Sequence, residues 1–218
     1  MHVFDIIGPI MIGPSSSHTA GAARIGLVAR QLLGETPRGA RIGLYGSFAA
    51  TARGHGTDRA LAAGLLGLAV DDPALKDSLE IAKAQGVDLG FYQARLREAH
   101  PNTAVVEVWG ERNRVSLRAA SVGGGAIRVQ ELDGLPVNFS GEANTLILRH
   151  LDRPGAIAQV SRLLAEANIN IATMQVFRER AGGLAVMALE IDGWPQPQVV
   201  EKLRALEDIQ RVSLLRRI

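Results

Sequence analysis

The sequence predicts an α+β fold in two domains: a glycine-rich α+β domain over 1–141 and a ferredoxin-like βαββαβ module over 142–218. Three observations carry the prediction. Helical periodicity prevails up to His100 and strand-like stretches follow it, the order of an α+β domain rather than of alternating βα units. The last 75 residues or so alternate element types in the split-βαβ plan. Between them lies the polar stretch Ser140–Asn144, and at roughly 100–200 residues per domain the chain holds one large domain or two small ones.

Taken in order, Ser17–Leu33 reads as a helix, with Ala22, Ile25, Ala29 and Leu32 on one face, a serine cap before it and Gly34 as its stop. Arg41–Tyr45 reads as a strand, Asp58–Ala69 as a buried helix, Pro73–Gln85 as an amphipathic one and Phe91–Glu98 as another. Thr103–Trp109, Arg114–Ser121, Ala126–Leu132 and Leu135–Phe139 read as strands, broken by Gly110–Asn113 and Asp133-Gly134. In the C-terminal module, Asn144–His150 is a predicted strand. Pro154–Ala167 is a helix with Pro near its start and Ile157, Val160, Leu163 and Leu164 on one face, the Leu, Ile and Val runs being expected in the core. Strands at Ile169–Phe177 and Leu184–Ile191, a helix at Gln196–Leu206 and a strand at Ile209–Leu215 complete it. Met174 and Met187 are expected in the core.

Composition excludes several function classes. With 24 Lys+Arg against 22 Asp+Glu the net charge is +2, and each part of the chain carries about +1. No basic stripe emerges and aromatic content is 4%, so nucleic acid is not an expected partner. Zero cysteines exclude disulfides, a cysteine nucleophile and any thiolate-held metal within this chain, and no metal site is expected. The longest stretch without polar side chains, Ala60–Val70, is 11 residues against the roughly 18 of a membrane span. Met1–Asp5 lacks a basic leader, so a cytoplasmic location and no membrane partner are expected, and His2 is expected to have no role.

Four polar clusters remain. Gly13-Pro14-Ser15-Ser16-Ser17-His18-Thr19 precedes a helix, where hydroxyls and free N–H groups suit a carboxylate and the histidine can exchange protons near neutral pH. Capping alone explains Ser15 but not three serines followed by His-Thr. Gly54-His55-Gly56-Thr57-Asp58 permits close backbone approach, with Thr57-Asp58 expected to cap the next helix. His100-Pro101-Asn102-Thr103 places an imidazole and an amide at a turn, and Ser121–Gly125 sets Gly123, Gly124 and Gly125 between two strands. Three of the five histidines thus sit beside glycine, proline or hydroxyl residues, a pattern better explained by one pocket than by four unrelated turns. No HExxH, Walker A loop or GxGxxG opens a helix here.

In this order the clusters closely resemble the beta chain of the iron–sulfur-dependent L-serine dehydratases (L-serine ammonia-lyases): GPSSSHTAGAAR at 13–24, GSFAATARGHGTD at 46–58, HPNT at 100–103 and SVGGGAI at 121–127. Ala52-Arg53 departs from the family pattern, which has Gly with a basic residue there. HLDRPGAIAQV at 150–160 and ANINIATM at 167–174 resemble an ACT amino-acid-sensing module. The resemblance implies a [4Fe–4S] cluster whose open iron acts on serine while a base removes the α-proton, giving aminoacrylate and then pyruvate and ammonia. Because cluster ligands are thiolates, it also implies a separate, cysteine-bearing alpha subunit that holds the cluster.

Carried over by residue, the resemblance assigns Ser15, Ser16, Thr19, Gly56, Thr57, Asp58, Asn102 and Gly123–Gly125 to L-serine binding. Ser17, His18, His55 and His100 become the catalytic candidates, with His18 leading and the choice among the three histidines open. Asp152, Arg153, Gly155, Asn168 and Asn170 become the effector-binding candidates, and the module is expected to dimerise, whereas His150 reads as structural. The competing reading is a serine-sensing regulatory protein without catalysis.

Overall fold

A computed structural model describes residues 11–52 and 54–218, so the expectations at His2, Met1–Asp5 and Arg53 lie outside the described residues. The chain divides into two compact units, Met1–Gly134 and Leu135–Ile218. Mixed helices and strands bear out the α+β class. Among the described residues no helix is long and apolar enough to cross a membrane.

Among the described residues the first element is a π-helical turn, Ser16–Gly21, which runs into α1 (Ala22–Leu33). Ala22, Ile25, Ala29 and Leu32 are all buried, and α1 stops at Gly34 in the left-handed conformation (φ 75°), as the sequence predicts. After β1 (Gly39–Leu44) come a one-turn helix α2 (Ser47–Ala50) that periodicity did not reveal, and α3 (Thr57–Leu66). A 3-10 turn (Pro73–Asp77) and α4 (Ser78–Ala84) follow, then β2 (Asp88–Gln93), β3 (Thr103–Trp109), β4 (Arg114–Gly123) and β5 (Ala126–Leu132). The strands lie in the order β2-β1-β3-β4-β5.

The expected helix Phe91–Glu98 is absent. Its first residues belong to β2, which pairs in parallel with β1 from Gly39↔Asp88 to Leu44↔Gln93. Aromatic Phe91 and Tyr92 suit a strand, and the tertiary pairing overrides a helical pattern too short to nucleate alone. At the far side, register slips between Ser121 and Gly123 where β4 meets β5, a bulge beside one of the glycine-rich clusters.

Helices α1 and α3 approach so closely that only glycine fits their crossing. A Cβ on Gly64 would overlap the carbonyl oxygen of Ala23 and one on Gly26 that of Leu61. Backbone cannot yield as a side chain can, so Gly64→Ala is expected to cost about 3 kcal/mol or more, read as a shifted denaturant midpoint at unchanged slope. A loss under about 0.5 kcal/mol, the scale of an ordinary surface change, would contradict this packing.

The second unit begins with β6 (Leu135–Phe139) and continues as β7 (Thr145–Leu151), α5 (Ala156–Glu166), β8 (Ile171–Arg178), β9 (Leu184–Ile191), α6 (Pro197–Arg204) and β10 (Ile209–Leu215). From β7 onward this is the expected βαββαβ order, in a sheet β10-β7-β9-β8. Leu146, Leu148, Val160, Leu164, Met187, Leu189 and Leu203 form its core. Two expectations need correction. Ile157 is 45% exposed, because the inward line of α5 runs through Ala156, Val160 and Leu164, one residue off from it. Met174 is 37% exposed on the edge strand β8, which has a neighbour on one side only.

Candidate functional site

The π turn and α2 build the site around His18. Ser15 caps the turn: its hydroxyl oxygen accepts the His18 backbone N–H at 3.2 Å, and its carbonyl accepts that of Thr19 at 2.8 Å. The same hydroxyl lies 3.3 Å from His18 Nδ1, while Ser47 Oγ lies 3.0 Å from His18 Nε2. Both ring nitrogens are therefore engaged. The N–H groups of Ser16 and Ser17, in the first turn, precede the carbonyls of the helix that could serve them, and among the described residues no acceptor is seen for them. A π turn at such a place is characteristic of functional segments.

His55 meets this ring directly. The two imidazole centroids are 5.0 Å apart with planes at 76°, and the Phe48 ring lies 5.4 Å from that of His18. Desolvation by burial, and then the charge of His55, hold the His18 pKa below the ordinary imidazole value, which favours the uncharged His18 ring. His55 is exposed, and its ring makes no side-chain hydrogen bond among the described residues. The first two clusters, 37 residues apart at these histidines, are thus brought together.

The third cluster reaches the same place through backbone. The carbonyl of Pro101 accepts the N–H of Phe48 at 3.4 Å, and the N–H of Tyr45 donates to the carbonyl of Thr103 at 3.0 Å. His100 is exposed, its Nδ1 accepting the Asn102 N–H at 3.1 Å, and Asn102 in turn accepts the Ser121 N–H on its carbonyl at 3.0 Å. Gly123, Gly124 and Gly125 all have positive φ (110°, 59° and 82°), a run that side chains rarely adopt. Arg24 of α1 ties this turn down by donating to the Gly125 carbonyl at 2.8 Å. The hydroxyl of Ser121 lies against Gly21 of the π turn, close enough that a Cβ there would overlap it.

Thr57 and Asp58 do not cap α3 as the sequence predicts. The capping position is Gly56 (φ 67°), the Thr57 hydroxyl is buried without a partner among the described residues, and the Asp58 carboxylate accepts only the next N–H, that of Arg59. Ser47 is the residue that sequence reasoning missed. Its signal was the Gly46-Ser47 step directly after a strand, but nothing local says that it meets a histidine 29 positions earlier.

In the second unit, Asp152 accepts from Arg178 at 2.9 Å and from the Gly182 N–H at 3.2 Å, and these bonds hold its carboxyl below the usual range. Arg153 pairs with Asp208 at 3.0 Å, and Gly155 (φ 94°) starts α5. Asn168 takes a left-handed conformation (φ 55°) after α5, and Asn170 donates to Asp192 at 2.8 Å. One module does not bring these residues together. β7 and β8 are both antiparallel to β9, so Asp152, after the end of β7, and Asn170, before the start of β8, lie at opposite ends of the sheet. His150 is buried, with Nδ1 2.8 Å from the Leu151 carbonyl oxygen, in keeping with a structural role.

Comparison with known proteins agrees with this division. A family model described as serine dehydratase beta chain matches residues 2–85, and one described as ACT domain matches residues 144–208. A probable L-serine dehydratase beta chain of Bacillus subtilis is 44% identical over 211 residues, 97% of this chain and 96% of that one. The L-serine dehydratase beta chain of Peptoniphilus asaccharolyticus is 37% identical over 191 residues, 87% of this chain and 86% of that one. A D-3-phosphoglycerate dehydrogenase of B. subtilis is 29% identical over 195 residues, 89% of this chain but 37% of that protein. On the first two of these similarities, spanning nearly its whole length and both compact units, the chain belongs to the L-serine dehydratase beta-chain family and carries a C-terminal ACT domain.

Proposed function

We propose that this chain is the proton-handling half of an L-serine ammonia-lyase, cytoplasmic and active only with an alpha chain. The observation that carries the reading is the contact between His18 and His55, one ring bonded at both nitrogens to serine hydroxyls and the other exposed, with no side-chain hydrogen bond among the described residues. In this reading the substrate carboxylate meets the open N–H groups and hydroxyls of Ser16 and Ser17, with Thr19, Gly56, Thr57, Asp58, Asn102 and Gly123–Gly125 around it. An imidazole takes the α-proton, the β-hydroxyl leaves as water after gaining a proton, and the resulting aminoacrylate hydrolyses to pyruvate and ammonia.

His55, rather than His18, is the proposed base. A base needs an unoccupied lone pair aimed at the proton, and both nitrogens of His18 are bonded to hydroxyls. His18 then serves as the neutral neighbour that receives His55 edge-on.

The [4Fe–4S] cluster that the family resemblance implies does not fit this chain. The sequence has no cysteine, and among the described residues no three His, Asp or Glu side chains gather as a metal site. A cysteine-bearing alpha chain is therefore the proposed holder of the cluster. Anaerobic co-expression of the two chains with a pyruvate assay tests the whole reading, and a co-purified, cluster-bearing pair inert toward serine would reject it. The sensor reading is less well supported, because recognising an amino acid requires no paired imidazoles.

The ACT domain is proposed as a dimerisation module. The edge strand β8 carries exposed Met174 and Val176, an apolar edge that invites a second copy. The full chain is expected to be dimeric by light scattering at micromolar concentration, and Met174→Lys with Val176→Lys to make it monomeric. A dimer unaffected by both lysines would place the contact elsewhere. Asp152, Arg153 and Gly155 at one end of the module, and Asn168 and Asn170 at the other, remain the proposed effector residues. Since one module separates them, an effector touching both sets has to lie between two copies.

A further inference from the structure

We infer that Ser47 is a positioning residue that fixes the ring of His18 against His55. The inference rests on the proposed role of the imidazole pair. A neutral imidazole has one donor and one acceptor nitrogen, and a hydroxyl can serve either. With Ser47 Oγ at 3.0 Å from Nε2, rotating the ring breaks a hydrogen bond in a half-buried setting. Without Ser47 the ring keeps only the longer contact to Ser15, whose oxygen already accepts the His18 backbone N–H.

The backbone delivers this hydroxyl by a route that tolerates little change. Gly46 has φ 59° and ψ −124°, and a Cβ there would press on the carbonyl oxygen and Cα of Pro101 at 2.6 and 2.8 Å. On the other side of Ser47, Phe48 is fully buried, bonds the same Pro101 carbonyl through its N–H, and lays its ring beside His18. Both neighbours of Ser47 are thus seated on the His100–Thr103 turn. That turn sets where the hydroxyl stands, and the hydroxyl sets the ring.

The test uses Ser47→Ala and Ser47→Thr in the full chain, alone and assembled with the alpha chain. In the assembled enzyme, Ser47→Ala is expected to lower kcat roughly ten- to a hundred-fold, the scale of misplacing a catalytic group by about 1 Å. KM for serine should stay within about two-fold, since the hydroxyl touches the ring rather than the substrate. Ser47→Thr, which keeps the hydroxyl, should recover most of the rate. In the full chain alone, the ¹⁵N shift of His18 Nε2 reports its hydrogen bond without reference to turnover: alike in the parent and in Ser47→Thr, moved in Ser47→Ala. Unchanged ring shifts in Ser47→Ala would overturn the positioning role whatever the activity. Altered shifts with normal turnover would keep that role and reject the imidazole pair as the reactive groups. Should the alanine variant not fold, Ser47→Cys, near in shape but a poor hydrogen-bond partner, gives the same readout.

Discussion

Purified alone, the chain is expected to release no pyruvate from L-serine and to remain colourless after anaerobic treatment with iron and sulfide. A cluster needs thiolates, and the sequence supplies none. The described residues set a serine-rich turn beside two imidazoles, which the proposed function takes as half of an elimination site. Addition of a cysteine-bearing alpha chain should therefore take turnover from background to a full rate, the largest effect predicted here. Iron–sulfur absorbance in the isolated chain, or pyruvate release by it, would reject the division of labour. Because the assay scores colour and activity separately, a chain that binds a cluster but stays inactive is told apart from one that is simply incomplete.

Replacing His55 by alanine in the assembled enzyme is expected to lower kcat by about 10²- to 10⁴-fold, the usual scale for losing a general base. Added imidazole should restore part of that rate, since the cavity left by an exposed side chain is open to a small base. His18→Ala should also fall by roughly 10²-fold, the scale of a misplaced catalytic group, but without rescue, because its loss misorients His55. Imidazole rescue of His18→Ala and not of His55→Ala would return the base to His18. Near-normal turnover in both variants would exclude the pair from the chemistry. A primary isotope effect with α-deuterated serine that grows in the impaired variants would tie the lost rate to proton removal.

Much of the fold was legible because its signals are local. Thr103–Trp109, Ala126–Leu132, Leu135–Phe139, Leu184–Ile191 and Ile209–Leu215 occur with the bounds that alternation and flanking turn residues predict. The failure at Phe91–Glu98 is equally physical: β2 exists because β1 is there to pair with, and a parallel partner some 50 positions earlier leaves no local trace. Ile157 stays exposed while its neighbour Ala156 is buried, because the inward line of α5 is set by what packs on it, and an apolar stripe in the sequence does not resolve an offset of one residue. That Asn168 and Asn170 stand at the opposite end of the sheet from Asp152 follows from the crossover helix, which carries the chain back to the start of the sheet.

By itself the sequence determined what chemistry this chain can supply. It has no thiolate, three histidines embedded in glycine, proline and hydroxyl residues, and a serine-rich turn ahead of a helix, and no folding can add a donor that the residues lack. Only the tertiary structure decided which of these groups act on one another. His18, Ser47 and His55 meet because α1 packs on α3 through Gly26 and Gly64, and because Gly46 and Phe48 rest on Pro101. Those contacts join segments tens of residues apart, and a spacing along the chain says nothing of a distance through space until the packing is known.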